Sequence, residues 1–169
     1  MGKFMIDKVK IELPGYEIVP VTKENFEQAF EAYDTNQDFF MLVNGKEATI
    51  KSSIGDINAL PPGGAIDQKY FISIYKAGRV LAVLDMYANY PGPGSIWIGL
   101  LLVHGSFHGA GIGSEITSAV MNAAKAAGYK TVQLGVMKSN EMGLPFWQKQ
   151  GFDVFRHSGD VLVLAKSLA

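Results

Sequence analysis

The sequence contains no cysteine. That absence excludes a disulfide framework and any mechanism built on a thiol nucleophile or an acyl-cysteine intermediate. There is no Gly-Lys-Ser/Thr step, so a nucleoside-triphosphate loop is excluded as well. No apolar run approaches the ~20 residues of a membrane-spanning helix. Met1 to Pro14 mixes Lys3, Asp7, Lys8, Lys10 and Glu12 into its apolar residues, which suits neither a signal peptide nor a span. Net charge is almost absent too. A balance of −1, with 18% charged residues, gives no electrostatic ground for nucleic acid or an anionic membrane as partner.

What the sequence does have is enough apolar material for a core. At 169 residues and 48% hydrophobic, it is expected to fold as one cytoplasmic domain over residues 1–169. Val9, Ile11 and Leu13 alternate with charged residues and predict a short strand or extended arm. Tyr16 to Val19 predicts a strand ended by Pro20. Thr22 is a candidate N-cap for a helix carrying Phe26, Ala29, Phe30 and Tyr33. Phe39 to Val43 reads as a short helix before Asn44-Gly45, and Ile50, Ile54 and Ile57 mark another, closed by Pro61-Pro-Gly-Gly64. The period then changes. Tyr70 to Tyr75 and Val80 to Tyr87 predict a hairpin turned at Lys76-Ala-Gly78.

Ile96 to Val103 is apolar throughout, as a central strand covered on both faces would be. It runs into Val103-His-Gly-Ser-Phe-His-Gly-Ala-Gly-Ile-Gly113, and a helical pattern begins near Ser114. Strand, glycine-rich loop and helix together present main-chain N–H groups at the positive end of a helix, a place for phosphate. Gly109, Gly111 and Gly113 let the chain turn and approach a ligand closely. Beyond lie a strand over Thr131 to Val136, a short helix over Leu144 to Gln150, and two closing strands turned at Ser158-Gly159. A dinucleotide fingerprint fits the loop poorly, because Ser114 stands at its third glycine and Met137-Lys138 where an acid is needed.

Val103-x-x-x-x-His108-Gly-Ala-Gly111-Ile-Gly113 resembles the acyl-CoA motif of the GCN5-related N-acetyltransferase (GNAT) family, Arg/Gln-x-x-Gly-x-Gly/Ala. One helix and one strand later, Asn140-x-x-Gly143-x-x-Phe146-Trp147-x-x-x-Gly151-Phe152 is similar to the family's second signature. The resemblance implies an α/β fold of the acyl-CoA N-acyltransferase type, a mixed, mostly antiparallel sheet with helices on both faces. It implies acetyl-CoA as co-substrate, no metal, and a small-molecule or peptide amine as acceptor, with a homodimer left open. Leu101, Leu102 and Val103 would pair with the pantetheine arm through their main chain. Gly109, Ala110, Gly111, Ile112, Gly113 and Ser114 would hold the pyrophosphate. Asn140 would hydrogen-bond pantetheine, and Gly143 and Phe146 would pack along it. His108 stands where the family has Arg or Gln; its ring can donate to a phosphate without contributing a full charge.

Two further departures concern the chemistry. Trp147 occupies the position of the family's thiolate-protonating tyrosine, and an indole is no acid. Ser95 to Val103 contains no acid where the family often has its base. Asp85, on the same face as Val83 and Tyr87 of an apolar strand, is the candidate base, directly or through water, or an amine-binding carboxylate, or else a carboxylate paired with a main-chain N–H or a basic side chain. Tyr87 and Tyr90 are candidate proton donors or packing residues with wet hydroxyls. His104 and His108 have no acidic third ligand beside them, and His157 reads as a surface residue. Lys125, Lys130 and Lys138 read as solvated or as attracting the 3′-phosphate of CoA, and Phe39-Phe40 as helix packing on the side where the family builds its acceptor wall. Attack of the amine in a ternary complex is the mechanism expected. A non-catalytic acyl-CoA-binding or sensing module is the alternative, and a partner-docking domain built on the aromatic early helices is a third.

Overall fold

Met5, Val9 and Leu13 are buried together at a spacing of four, while Ile11 between them is 67% exposed. A stripe of that period belongs to a helix, so Gly2–Glu12 forms α1 in place of the predicted strand or arm. This computed structural model describes residues 2–169, with side chains from Met5 onward. Strand β1 (Glu17–Pro20) follows, then α2 (Phe26–Asp34) and α3 (Gln37–Asn44). Asn25, not Thr22, stands at the N-cap of α2; its Oδ1 accepts from the Thr22 N–H and its Nδ2 donates to the Pro20 carbonyl. The helix marked by Ile50, Ile54 and Ile57 is shorter than its pattern suggests. Thr49 and Ser52 cap α4 (Ile50–Ser53) reciprocally, and Ile54–Ile57 tightens into a 3₁₀ turn.

The hairpin β2 (Lys69–Lys76) and β3 (Arg79–Ala88) turns on Ala77 and Gly78, both at positive φ, the geometry that matches the strand twist. Then come β4 (Ser95–Val103), α5 (Ile112–Ala126), β5 (Thr131–Met137), α6 (Gly143–Lys149), β6 (Asp153–Ser158) and β7 (Val161–Ser167). The strands form one sheet in the order β1-β2-β3-β4-β5-β7-β6. Only the β4–β5 pair is parallel, and α5 makes its crossover.

Each face of the sheet has its own core. On one, α1 and α5 cover Ile72, Leu84, Ile96, Val132 and Leu164. On the other, α2 and α3 cover Phe71, Val83 and Leu102 with a run of packed rings, Phe26 tilted against Tyr33 and Tyr33 stacked on Phe40. Tyr33 and Phe40 lie 5.4 Å apart and nearly parallel, so Phe39-Phe40 does pack helix against helix. No helix among the described residues is long and apolar enough to cross a membrane.

The uniformly apolar β4 is not covered on both faces. Ile96, Ile98 and Leu102 are buried, but Gly99 is exposed and Leu100, Leu101 and Val103 are only half-buried. The reason is a missing neighbour.

Candidate functional site

β4 and β5 are paired from Ser95↔Thr131 to Ile98↔Leu134 and then part. The cause lies on the other edge of β4. Ile98 faces Met86 and Leu100 faces Asp85, which leaves Gly99 as an extra residue, a bulge. Bulges bend a strand and increase its twist. From that point β5 keeps only β7 as partner, and β4 keeps only β3. The His104 N–H donates to the Leu81 carbonyl across β3 at 2.7 Å. By alternation, the main chains of Leu101 and Val103 turn the opposite way, into the split.

The glycine loop closes the wide end of this split. Gly109 and Gly111 have φ of 79° and 80°, a backbone region that side chains rarely enter, and Gly111 is the N-cap of α5. The first turn of α5 leaves the Ile112, Gly113 and Ser114 N–H groups without helical acceptors, as every helix start does. Helix α6 supports the loop. A Cβ on Gly113 would meet Phe146 Cζ at 3.2 Å and Val103 Cγ2 at 3.6 Å, and Gln150 Nε2 donates to Ser114 Oγ at 2.9 Å. The Gly143 N–H donates to Asn140 Oδ1 at 3.0 Å, and a Cβ on Gly143 would press to 2.6 Å of Asn140 Nδ2.

At the narrow end stands a buried polar cluster. Lys69 Nζ lies 2.7 Å from Asp85 Oδ2 and 3.1 Å from the Tyr87 hydroxyl, and that hydroxyl lies 2.9 Å from the same Asp85 oxygen. The side chains of Lys69 and Asp85 are 3% and 8% exposed. Two ions removed this far from water need each other, and Lys69 also lies over the Tyr87 ring, 4.7 Å from its centroid. Burial pushes the Asp85 carboxyl up to about 6, against the pull of Lys69 and Tyr87. The Tyr87 phenol is raised by burial first and by the Asp85 charge second, so it stays protonated. Asp85 Oδ1 is buried with no hydrogen-bond partner among the described residues. A second carboxylate–phenol pair lies alongside: Tyr33 donates to Asp56 Oδ2 at 2.8 Å.

A family model for the acetyltransferase (GNAT) family matches residues 23–152. The chain belongs to the GNAT acetyltransferases. Among solved structures, an acetyltransferase from Thermus thermophilus superposes with a TM-score of 0.78 at 19% identity, over 90% of this chain and 96% of the other. The PaiA N-acetyltransferase from Thermoplasma acidophilum, solved in complex with coenzyme A, gives 0.68 at 16% identity, over 90% and 98%. The ribosomal-protein-S18-alanine N-acetyltransferase from Escherichia coli gives 0.62 at 13%, over 91% and 94%. At these identities the likeness is one of fold. No curated protein sequence matches the chain.

The GNAT fold thus carries Leu101, Val103, Ile112, Leu144 and Trp147 against one core around the split. It does not give every predicted residue the expected role. The Val103 carbonyl already accepts from Asn36 Nδ2 at 2.9 Å and is 2.8 Å from His108 Nε2, so the His108 ring is folded back onto its own strand. His104 is likewise used locally, Nδ1 accepting from the Ser106 N–H. Trp147 packs edge-on to Phe146 and Phe152, with ring centroids at 4.9 Å and 5.4 Å. The Tyr87 hydroxyl is engaged rather than wet. The residue that sequence reasoning missed is Lys69, whose pairing with Asp85 only the register of β2 on β3 reveals.

Proposed function

We propose that this GNAT protein moves an acetyl group from acetyl-CoA to a primary amine of a small molecule or peptide, by direct attack in a ternary complex. One observation carries the reading: the β4–β5 split ends on the N-terminus of α5 and has a phenol–carboxylate pair at its apex. The pyrophosphate of CoA is matched to the N–H groups of Gly111, Ile112, Gly113 and Ser114. The pantetheine arm is matched to the main chain of Leu101 and the Val103 N–H, the Val103 carbonyl being filled. Asn140 keeps Nδ2 for the arm while Oδ1 accepts from the Gly143 N–H, and Gly143, Phe146 and Trp147 form the wall on that side.

The chemistry follows from what stands at the bulge. An alkylammonium, with a pKa of about 10, has to lose a proton before its nitrogen can attack. The Tyr87 hydroxyl donates to Asp85 Oδ2, its shortest acceptor, and accepts from Lys69 Nζ, which leaves one lone pair on its oxygen for the amine proton. It takes the amine proton while handing its own to the Asp85 carboxylate, which is ionised at neutral pH. Asp85, 5% exposed, does not touch the amine; it works through the phenol. A main-chain N–H turned outward by the Gly99 bulge would meet the tetrahedral oxyanion. The leaving thiolate takes its proton from solvent, since Trp147 has none to give.

The test is thiol release from acetyl-CoA with n-butylamine, 1,4-diaminobutane, tyramine and an alanyl tripeptide, with mass-spectrometric detection of the acetylated product. Amine-dependent release well above acetyl-CoA hydrolysis is the expected result. Tight CoA binding with hydrolysis alone would instead identify a non-catalytic acyl-CoA-binding module.

A further inference from the structure

The helices α2 and α3 cover only part of their face of the sheet. Their core takes Phe71 from β2, Val83 from β3 and Leu102 from β4, and nothing from β5 or β7. Beyond it, the same face shows Trp97, Met137, Val161 and Ala165, all half-buried and none packed into either core. Register places them together. Tyr87 faces Trp97, Trp97 faces Gln133, and Gln133 faces Ala165. Gly135 and Met137 follow Gln133 at steps of two, and Met137 faces Val161. The patch therefore runs on from Tyr87, at the apex of the split, across β5 to β7.

At the apex both strands carry glycine. Ile98↔Leu134 is the last β4–β5 pair, and the residues that follow are Gly99 and Gly135, both exposed. Around Gly135 the bare main chain is walled on two sides. A Cβ there would meet Val161 Cγ1 at 3.1 Å and Trp97 Cζ2 at 3.6 Å. The indole is held in turn by Tyr90, edge-on, with 5.5 Å between ring centroids. The result is a narrow slot with an aromatic wall and an aliphatic one. Its one polar side chain is the Gln133 amide; the charges of that face, Asp153 and Arg156, stand one strand further out, on β6.

We propose that this slot receives the carbon substituent of the acceptor and selects an arylalkyl amine, with a flat ring and an unbranched CH₂ next to nitrogen. The inference rests on the amine-acetyltransferase reading above and narrows its acceptor class. The co-substrate fills the split itself, so an amine attacking at the apex extends onto the open sheet face beside it. A flat ring passes between Val161 and the indole edge, where a branched carbon collides with one or the other. Burying that ring against Trp97, Met137 and Val161 takes apolar surface out of water on both partners. A second ammonium, or a carboxylate, would lose its water over β5 and β7 with no ion there to replace it. Diamines are thus disfavoured by charge, and a peptide N-terminus by its branched α-carbon. Gly135, Val161 and Trp97 set specificity and take no part in the proton transfers.

The test measures kcat/KM over the amine panel above for wild type, Gly135→Ala and Trp97→Leu, with CoA affinity by calorimetry. In wild type, tyramine should exceed n-butylamine, the diamine and the tripeptide by about tenfold or more. Gly135→Ala fills the slot and Trp97→Leu removes its aromatic wall. Each should lower the tyramine value about tenfold while n-butylamine and CoA affinity change no more than about twofold. Should Gly135→Ala fail to fold against Val161, the double variant Gly135→Ala/Val161→Ala relieves the 3.1 Å contact and takes its place. Losses of equal size for tyramine and n-butylamine would reduce these residues to a structural role and overturn the assignment. A wild type that prefers the diamine or the tripeptide would overturn it too, with the acetyltransferase reading left standing. If wild type acetylates no amine, both fall.

Discussion

A Cβ on Gly99 would lie 2.8 Å from Cε2 of Tyr87. The bulge glycine and the phenol thus share one space: the strand irregularity that opens the split also lets the Tyr87 ring lie at its apex. Gly99→Ala should push the ring aside and break its alignment with Asp85 and Lys69. Overpacking of this kind costs about 1–3 kcal/mol. We expect a lowered Tm and a kcat reduced about 10- to 100-fold, with the KM for acetyl-CoA changed far less, because the glycine loop is remote from the clash. An unaltered kcat in a folded Gly99→Ala variant would remove Tyr87 from the chemistry.

The Asp85 carboxyl, held up at about 6 by burial, sets the sign of two pH dependences. The proposed reaction uses the carboxylate, so kcat/KM for the amine should rise with pH through about 6. Lys69→Met removes the two strongest interactions that lower the Asp85 value, so its acid limb should move to higher pH. Stability runs the other way. A carboxyl whose folded value lies above its unfolded value binds its proton more firmly when folded. Its contribution is therefore full below about pH 4 and lost as pH rises through about 6. Asp85→Asn should abolish the acid limb and flatten that part of the stability curve, read by urea unfolding at pH 4.5 and 7.5.

Why Lys69 was invisible in the sequence is instructive about register. The tight turn at Ala77-Gly78 sets Lys76 opposite Arg79 and Tyr75 opposite Val80. Counting on from there puts Lys69 opposite Met86, on the face away from Asp85. In the molecule the register shifts between Ile74 and Tyr75, so Lys69 faces Tyr87 and joins the cluster. A one-residue slip turns every side chain over, and nothing local in the sequence announces it. The glycine loop was legible for the opposite reason: its glycines, the preceding strand and the following helix are contiguous in sequence. The family motifs were legible likewise, since their spacing is chain spacing. The first helix looks like a strand in the sequence because period two and period four share Val9 and Leu13; Met5 and the exposed Ile11 decide between them. The half-open β4 reads like a covered strand, because its half-buried residues, Leu100, Leu101 and Val103, are as apolar as its buried ones.

Trp147 sits where an acid would be expected, yet it contacts Phe146 and Phe152 edge-on. Its contribution is packing, on the core that also carries Leu101 and Val103. Trp147→Phe should therefore lower stability by about 1 kcal/mol or slightly more and raise the KM for acetyl-CoA a few-fold as the α6 wall loosens. The basic side of the pH–rate profile should stay where it is. A basic-side ionisation that disappears in Trp147→Phe would contradict the assignment.

His108 separates two ways in which a residue at the head of the glycine loop can serve a phosphate. Its Nε2 is 2.8 Å from the Val103 carbonyl, an acceptor only, so the proton of the neutral ring lies on Nε2. That leaves Nδ1 as a lone pair, which repels a phosphate oxygen rather than binding it. His108→Ala should then change the KM for acetyl-CoA by no more than about twofold, since Asn36 still donates to Val103. His108→Arg places a full charge beside the α5 N-terminus and should lower that KM about three- to tenfold at low salt, with the gain shrinking as ionic strength rises. A large loss of acetyl-CoA affinity in His108→Ala would show instead that the ring leaves Val103 and turns to the phosphate when the co-substrate binds.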